Sequence, residues 1–424
     1  MTADLTHSSG AGASTGAPAP DGSVLRRITG MGAEDFAARH WGRRPLLIQS
    51  ANPGAFADLL DLDGVDELLS RRGLRTPFVR LARDGEVIGS SAFTGPGGVG
   101  AEIGDQVRDD KVADLFSRGA TVVLQALHRT WSPVVELATA LGAELGHPVQ
   151  ANAYVTPPES RGFSAHYDVH DVFVLQIAGS KRWQVHAPVH PDPLRTQPWN
   201  GHAAAVRERS REEPAFEAVL EPGDALYLPR GWLHAATALG GVSAHLTVGV
   251  HVVTGYAIVE ALVATVARDP RLRATLPLGL DVADPEQVAP HLDAVRAALH
   301  TALDAASATE VARHLRTGVW GGARLEPVRP VATAAFVERL GRGDAVRLRV
   351  GLGCRLVDTD EGGVALELPD RTLNLPAHTR TALRALFEAG AAVVGDLPDM
   401  PEPDQVVLVA RLLREGVVVP APAS

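Results

Sequence analysis

The chain reads as an α+β protein with a β-rich centre, then a helical block, then a small C-terminal α+β domain. Three observations carry that reading. From Gln150 to about Val253 apolar residues alternate with period two, broken by one long polar insertion. At Gly255 the period changes to that of a helix, with Ile258, Leu262 and Val266 on one face. The last stretch returns to short alternating runs separated by two helical segments. At 424 residues the chain exceeds one ordinary core, so two or three domains are expected.

With 45% hydrophobic and 21% charged residues the composition is that of a soluble protein. No apolar run approaches the roughly 20 residues that span a bilayer. The first 22 residues are rich in Ser, Gly, Ala and Pro, lack the apolar core of a signal peptide, and read as a disordered tail. The single cysteine, Cys354, excludes an intrachain disulfide and a thiolate-rich metal site, and a cytoplasmic location is expected. A net charge of −10 argues against non-specific nucleic-acid binding, which needs a basic surface. Lysine occurs only at Lys111 and Lys181, every other basic residue being arginine. A lysine retained at position 181, inside an apolar strand, suggests a need for a compact ammonium.

In chain order, the stretch from Ile28 predicts a helix ending near Gly42, followed by extended RPLLIQS. Asp58 to Ser70 is amphipathic, with Leu59, Leu62 and Leu69 on one face. FVRLARDGEVIG predicts a hairpin turning at Asp84-Gly85. The glycine-rich FTGPGGVGAEIG lacks the Lys-Ser/Thr of a phosphate loop and reads as a plain loop. ATVVLQALH is a buried strand, and Ser132 to Gly146 a helix with Pro133 in its first turn. Gln150 to Pro158 alternates, placing Asn152, Tyr154 and Thr156 on one face.

The stretch AHYDVHDVFVLQIAGSKRWQVHAP is expected to be a hairpin turning at Gly179-Ser180, with His166 and Asp168 opening its first strand and Lys181 just after the turn. A long insertion, Pro188 to Pro214, could lie over a concave site as a flap; His186, His190 and His202 are expected at the surface. LEPGDALYLPRGWLH then supplies a strand, a tight turn and His234. AHLTVGVHV closes the β region with His245, Thr247, Gly249 and His251 on one face. Beyond the helical block, VRLRV and VALEL are strands, and Pro376–Ala389 and Asp404–Glu415 are helices, each followed by glycine; with the terminal VVV this is a winged-helix pattern.

Residues two apart on a strand share a face, so His166 and Asp168 can reach one metal ion together, with His234 as the candidate third ligand. His170 has the same parity and could replace one of them. Two imidazoles and one carboxylate with open positions are the arrangement of non-haem Fe(II) oxygenases.

GDALYLPRGWLH resembles the second cupin motif, matched at Gly223, Pro229, Gly231 and His234. NAYVTPP, HYD and VFVLQIAGSKRW together resemble the JmjC-type ribosomal oxygenases. That resemblance implies a double-stranded β-helix (a cupin or JmjC jelly roll) with N-terminal helices, a helical dimerisation region and a C-terminal winged helix. It divides the chain into a tail (1–22), a catalytic domain (23–254), a dimerisation region (255–325) and a winged-helix-like domain (340–420). It implies Fe(II) on His166, Asp168 and His234, and 2-oxoglutarate anchored by Lys181 with help from Thr247. Asn152 and Tyr154 are the implied substrate contacts, and no catalytic side chain is expected beyond the metal ligands. The implied activity is O2-dependent hydroxylation of a side chain of a ribosomal protein, histidine before arginine, by a homodimer. Family members often carry serine where this chain has Gly249, which leaves the target residue open. The other readings are hydroxylation of a small molecule or peptide natural product, N-methyl-lysine demethylation, a non-catalytic cupin binding module, and a zinc cupin enzyme, which would have no use for Lys181.

Overall fold

The computed structural model describes residues 23–83, 85–160, 163–359 and 362–422, and all but the side chain of Trp320. The expected tail and Asp84 of the first turn lie outside the described residues. The chain divides after Val252 into two compact units.

The first unit runs α1 (Val24–Thr29), α2 (Ala33–Arg39), β1 (Leu46–Ile48), α3 (Leu62–Arg71), β2 (Val79–Arg83), β3 (Glu86–Ile88), β4 (Thr94–Gly95), β5 (Gln106–Val107), α4 (Asp109–Ser117), β6 (Thr121–Leu124), α5 (Leu127–Thr130), α6 (Ser132–Leu145), β7 (Val149–Thr156), β8 (Asp171–His186), α7 (Ala203–Arg209), β9 (Phe216–Leu220), β10 (Ala225–Leu228) and β11 (Leu233–Val250). The single helix expected to end near Gly42 is two helices, because Gly30 adopts φ 69° and closes α1 onto the Arg26 carbonyl. The next helix starts later than its apolar pattern, at Asp61, whose carboxylate caps the Gly64 N–H at 2.7 Å.

Strands order as β1-β10-β8-β11-β7-β6-β2-β3, with β9 also on β8. The hairpin expected at Gly179-Ser180 is absent. β8 is one strand of 16 residues and β11 one of 18. They pair along both halves, Val250↔Asp171 through Ala244↔Ala178, then Leu239↔Ser180 through Leu233↔His186, with a register shift between the halves. Gly179 makes a corner: at φ 57°, an added Cβ would meet the Val242 carbonyl oxygen of β11. A glycine between alternating runs marks either a turn or such a corner. The extra residue there flips the inward face, so Val172 and Val174 face inward before it, Lys181 and Trp183 after it.

One face of this coiled sheet buries Phe173, Leu175, Leu246 and Val248 against Leu25, Phe36, Leu137 and Leu141 of the N-terminal helices. A second core, inside the roll, packs Val172, Val174, Trp183 and Val185 against Leu226, Leu228 and Phe216. Each such side chain contributes roughly 1.5–3 kcal/mol on burial. The frame around the site is therefore rigid.

The second unit holds α8 (Gly255–Val266), α9 (Pro270–Arg273), α10 (Pro285–Ala305), α11 (Ala308–Gly322) and α12 (Pro330–Glu338). It continues with β12 (Ala345–Leu348), β13 (Arg355–Asp358), β14 (Val364–Glu367), β15 (Thr372–Leu375), α13 (Arg380–Ala389), β16 (Ala391–Val393), α14 (Glu402–Arg414) and β17 (Val418–Pro420). Two small sheets, β16-β12-β17 and β13-β14-β15, pack with α13 and α14 around Val346, Leu366, Leu383 and Leu412. No described helix is long and apolar enough to cross a membrane.

Candidate metal and cofactor site

His166 and Asp168 precede β8 in an extended segment rather than opening the strand. What fixes them is main chain. His166 and His234 form a reciprocal bridge, N–H to carbonyl at 3.2 and 2.9 Å, and Gly231 donates to the Asp168 carbonyl at 3.0 Å. Gly231 stands at φ 88°, where a Cβ would crowd the His190 carbonyl and Pro193. The PRGWLH turn is held from below by Asp171. Its buried carboxylate accepts the Arg230 N–H at 3.0 Å and the Tyr227 hydroxyl, and burial raises its pKa.

Among the described residues, His166, Asp168 and His234 are the group whose ligand atoms lie within 4.8 Å of one another. The His234 Nε2 is 3.6 Å from Asp168 Oδ2, and the two imidazoles stand 4.5 Å apart. His166 Nδ1 lies 2.8 Å from the Ser164 carbonyl and His234 Nδ1 3.1 Å from that of Trp232. Donation to those carbonyls leaves each Nε2 as the free electron pair, the tautomer a metal needs. Burial, then His166, pushes His234 down to about 4, so it is neutral at physiological pH. Burial opposes the charge of Asp168, but His170, His166 and His234 outweigh it and its carboxyl titrates below the usual value. Two nitrogens and one carboxylate, oriented toward one another, fit a divalent iron with open coordination positions. His170 is not in the group. It contacts Gln150 at 3.2 Å and His251, and stands over Gly249, where a Cβ would come within 2.9 Å of its ring.

Lys181 reaches the same cavity from beyond the corner, with Tyr154, Trp183, His245 and Thr247 also lining it. Its side chain is buried, 2% exposed, and among the described residues no carboxylate pairs with it. Nζ is 2.9 Å from His245 Nδ1 and 3.5 Å from the Tyr154 carbonyl, and burial lowers its pKa to about 7. A buried cation without a counter-charge is costly. Its place on this cavity fits the distal carboxylate of a dicarboxylic acid.

Thr247 and Tyr154 line the cavity as their strand faces require, whereas Asn152 is not among the lining residues; its Oδ1 accepts the Ala126 N–H at 2.9 Å. His186 is buried rather than at the surface, because β8 carries it under the insertion, and His190 stacks on His202 at 4.5 Å. The insertion reaches the site through Trp199, 6.4 Å from the His166 ring. Sequence reasoning missed Asp171 and the role of His245; only the inward parity of His245 was visible.

The fold built around this site is similar to that of JmjC-type cupins. Residues 130–258 match the family model described as JmjC domain. Ribosomal oxygenase 1 of Gallus gallus is 33% identical over 216 residues, 51% of this chain and 34% of that protein. The bifunctional lysine-specific demethylase and histidyl-hydroxylase NO66 of Aedes aegypti is 31% identical over 223 residues, 51% of this chain and 33% of that protein. The chain thus spans about a third of the length of these relatives. Among solved structures, the Escherichia coli ribosomal oxygenase YcfD superposes with a TM-score of 0.52 at 19% identity, covering 92% of this chain and 98% of that one. YcfD in complex with cobalt and succinic acid gives 0.53 at 18% identity, covering 93% and 99%.

Proposed function

We propose that the protein is an Fe(II)- and 2-oxoglutarate-dependent oxygenase that hydroxylates a side chain of a ribosomal protein. The observation that carries this is the pairing, in one cavity, of a three-residue metal-ligand set with a buried lysine that has no acidic partner among the described residues. His166, Asp168 and His234 would hold the iron, and Lys181, with Thr247 beside it, the far carboxylate of 2-oxoglutarate. With both bound, the site would supply oxidative decarboxylation of the 2-oxo acid by O2 coupled to insertion of one oxygen atom into a C–H bond. The protein's part is to orient the two groups and exclude water.

For the target, histidine suits the site better than arginine. Tyr154 is held protonated, its pKa pushed up to about 12 first by burial and then by Asp168, so it offers a neutral donor. Asn152 keeps its amide N–H groups for donation once Oδ1 is used. Neither supplies the negative charge a guanidinium would seek. The insertion carrying Trp199 would close over the bound segment. The names of the relatives, ribosomal oxygenase among them, support a ribosomal target. We also propose that the second unit dimerises, because Tyr256, Val259 and Val263 of α8, at spacings of three and four, are each about half exposed, and that its C-terminal portion acts as a winged-helix-like module.

The test is anaerobic addition of Fe(II) and then 2-oxoglutarate. A weak visible charge-transfer band that is lost in His166→Ala is expected; no band with iron loading confirmed overturns the reading. Ribosomal proteins treated with the enzyme should then show, by mass spectrometry, a gain of one oxygen on a histidine.

A further inference from the structure

Lys181 and His245 touch each other more closely than either touches any other side chain recorded for it, and both are buried. Two bases at this distance cannot both be protonated, and when Lys181 carries the proton His245 Nδ1 is its acceptor and the imidazole is neutral. The His245 ring has little freedom to turn away. It lies flat against Tyr154, 5.1 Å between centroids and 3° between planes, with the edge of Trp183 on another side at 5.3 Å and 76°. Around Lys181, β7 contributes Tyr154, β11 contributes His245 and, further along, His234, and β6 and β9 contribute Thr121 and Leu220, neither of which titrates. His166 and Asp168 stand at the metal end of the cavity. Among the described residues no acid pairs with the lysine nitrogen to hold its proton.

We propose that His245 is a second anchoring residue for the cofactor: it and Lys181 form a dyad of two bases that shares at most one proton in the free protein and, above neutral pH, takes up a proton from solvent when a dicarboxylate binds. This rests on the cofactor assignment proposed above. In the free protein burial alone acts on the amine, and the same burial, followed by Lys181 and His234, drives His245 well below its ordinary value. A carboxylate arriving at Nζ supplies the missing counter-charge and restores the ammonium. His245 keeps Nζ aimed at that carboxylate from the opposite side. The proton comes from water or buffer, joins the lysine nitrogen and leaves when the acid dissociates.

The consequence is measurable without turnover. Titrating Mn(II)-loaded protein with 2-oxoglutarate by calorimetry, in buffers of different ionisation enthalpy, should give uptake of close to one proton per site at about pH 8.5 and much less at about pH 6. Affinity should weaken by more than tenfold across the same range, since each pH unit above the amine's own value costs a factor of ten. Lys181→Arg, permanently charged, should bind with no proton uptake. His245→Phe keeps the ring stack but removes the acceptor, and should weaken 2-oxoglutarate about tenfold with Mn(II) affinity unchanged; His245→Asn, which restores an acceptor near the Nδ1 position, should recover part of the loss. Binding by wild-type protein without buffer-dependent heat overturns the dyad alone, as does an unchanged affinity in His245→Phe. Absence of any 2-oxoglutarate binding to metal-loaded wild type overturns the cofactor assignment as well.

Discussion

At the scale of single residues the site is governed by which charges are compensated. Lys181 is buried and its nearest partner is a base, so its free energy improves when an anion enters. Replacing it by alanine should raise the dissociation constant of 2-oxoglutarate by about two orders of magnitude, in line with the ~1.5–3 kcal/mol of a hydrogen bond to a charged group. Metal affinity, read by Mn(II) titration, should stay within about threefold. Asp171 is the opposite case, an acid whose oxygens are both used. Asp171→Ala leaves the Arg230 N–H and the Tyr227 hydroxyl without their acceptor in a buried place, at a cost of about 1–3 kcal/mol each. A fall in melting temperature is expected, with metal affinity reduced ten- to a hundredfold because the turn that presents His234 loosens. The clustering of His166, Asp168 and His234 was legible in the sequence because they sit in short motifs with fixed spacing. The role of His245 was not, because it depends on a partner 64 positions away.

At the scale of elements the corner at Gly179 decides where Lys181 points. It is also where the sequence reading failed, since Gly-Ser between two apolar runs carries the same local signal for a two-residue turn as for a corner. Only the long-range pairing of β8 with β11 separates the two. Gly179→Ala must fit a Cβ against the Val242 carbonyl at a positive φ, and neither backbone segment can yield cheaply. A destabilisation of at least about 3 kcal/mol in urea unfolding is expected, or loss of soluble protein. Gly30→Ala offers a contrast, because it also has positive φ but nothing within 4 Å of an added Cβ. Its cost should be confined to about 1 kcal/mol of backbone strain. The first helix boundary was misplaced for a related reason: the apolar pattern runs through Gly30 to Gly32, while the backbone there reverses.

At the scale of the whole molecule, strand alternation, the change of period at Gly255 and the terminal helices were readable, because each is a local periodicity. How two long strands coil into a roll was not, and came only through resemblance. The half-exposed row on α8 is the feature of the second unit that asks for a partner. Val259→Glu with Val263→Glu should convert a dimer to a monomer in sedimentation, with the metal site and 2-oxoglutarate binding intact. A wild-type monomer at micromolar concentration would refute that assignment.

The insertion between His186 and Phe216 is rooted on the paired strands β8 and β9, whose last rung is Val185↔Phe216, while His166 and His234 are fastened to each other by their own main chains. The insertion is also tied to the segments that carry the ligands: Tyr167, between His166 and Asp168, donates its hydroxyl to the Gln197 carbonyl at 3.0 Å, and Val206 packs with Tyr167 and Leu233. On the proposed function, choice of target and competence for chemistry would be coupled through these contacts. Exchanging that segment between relatives would then have to carry with it the residues that meet Tyr167 and Leu233.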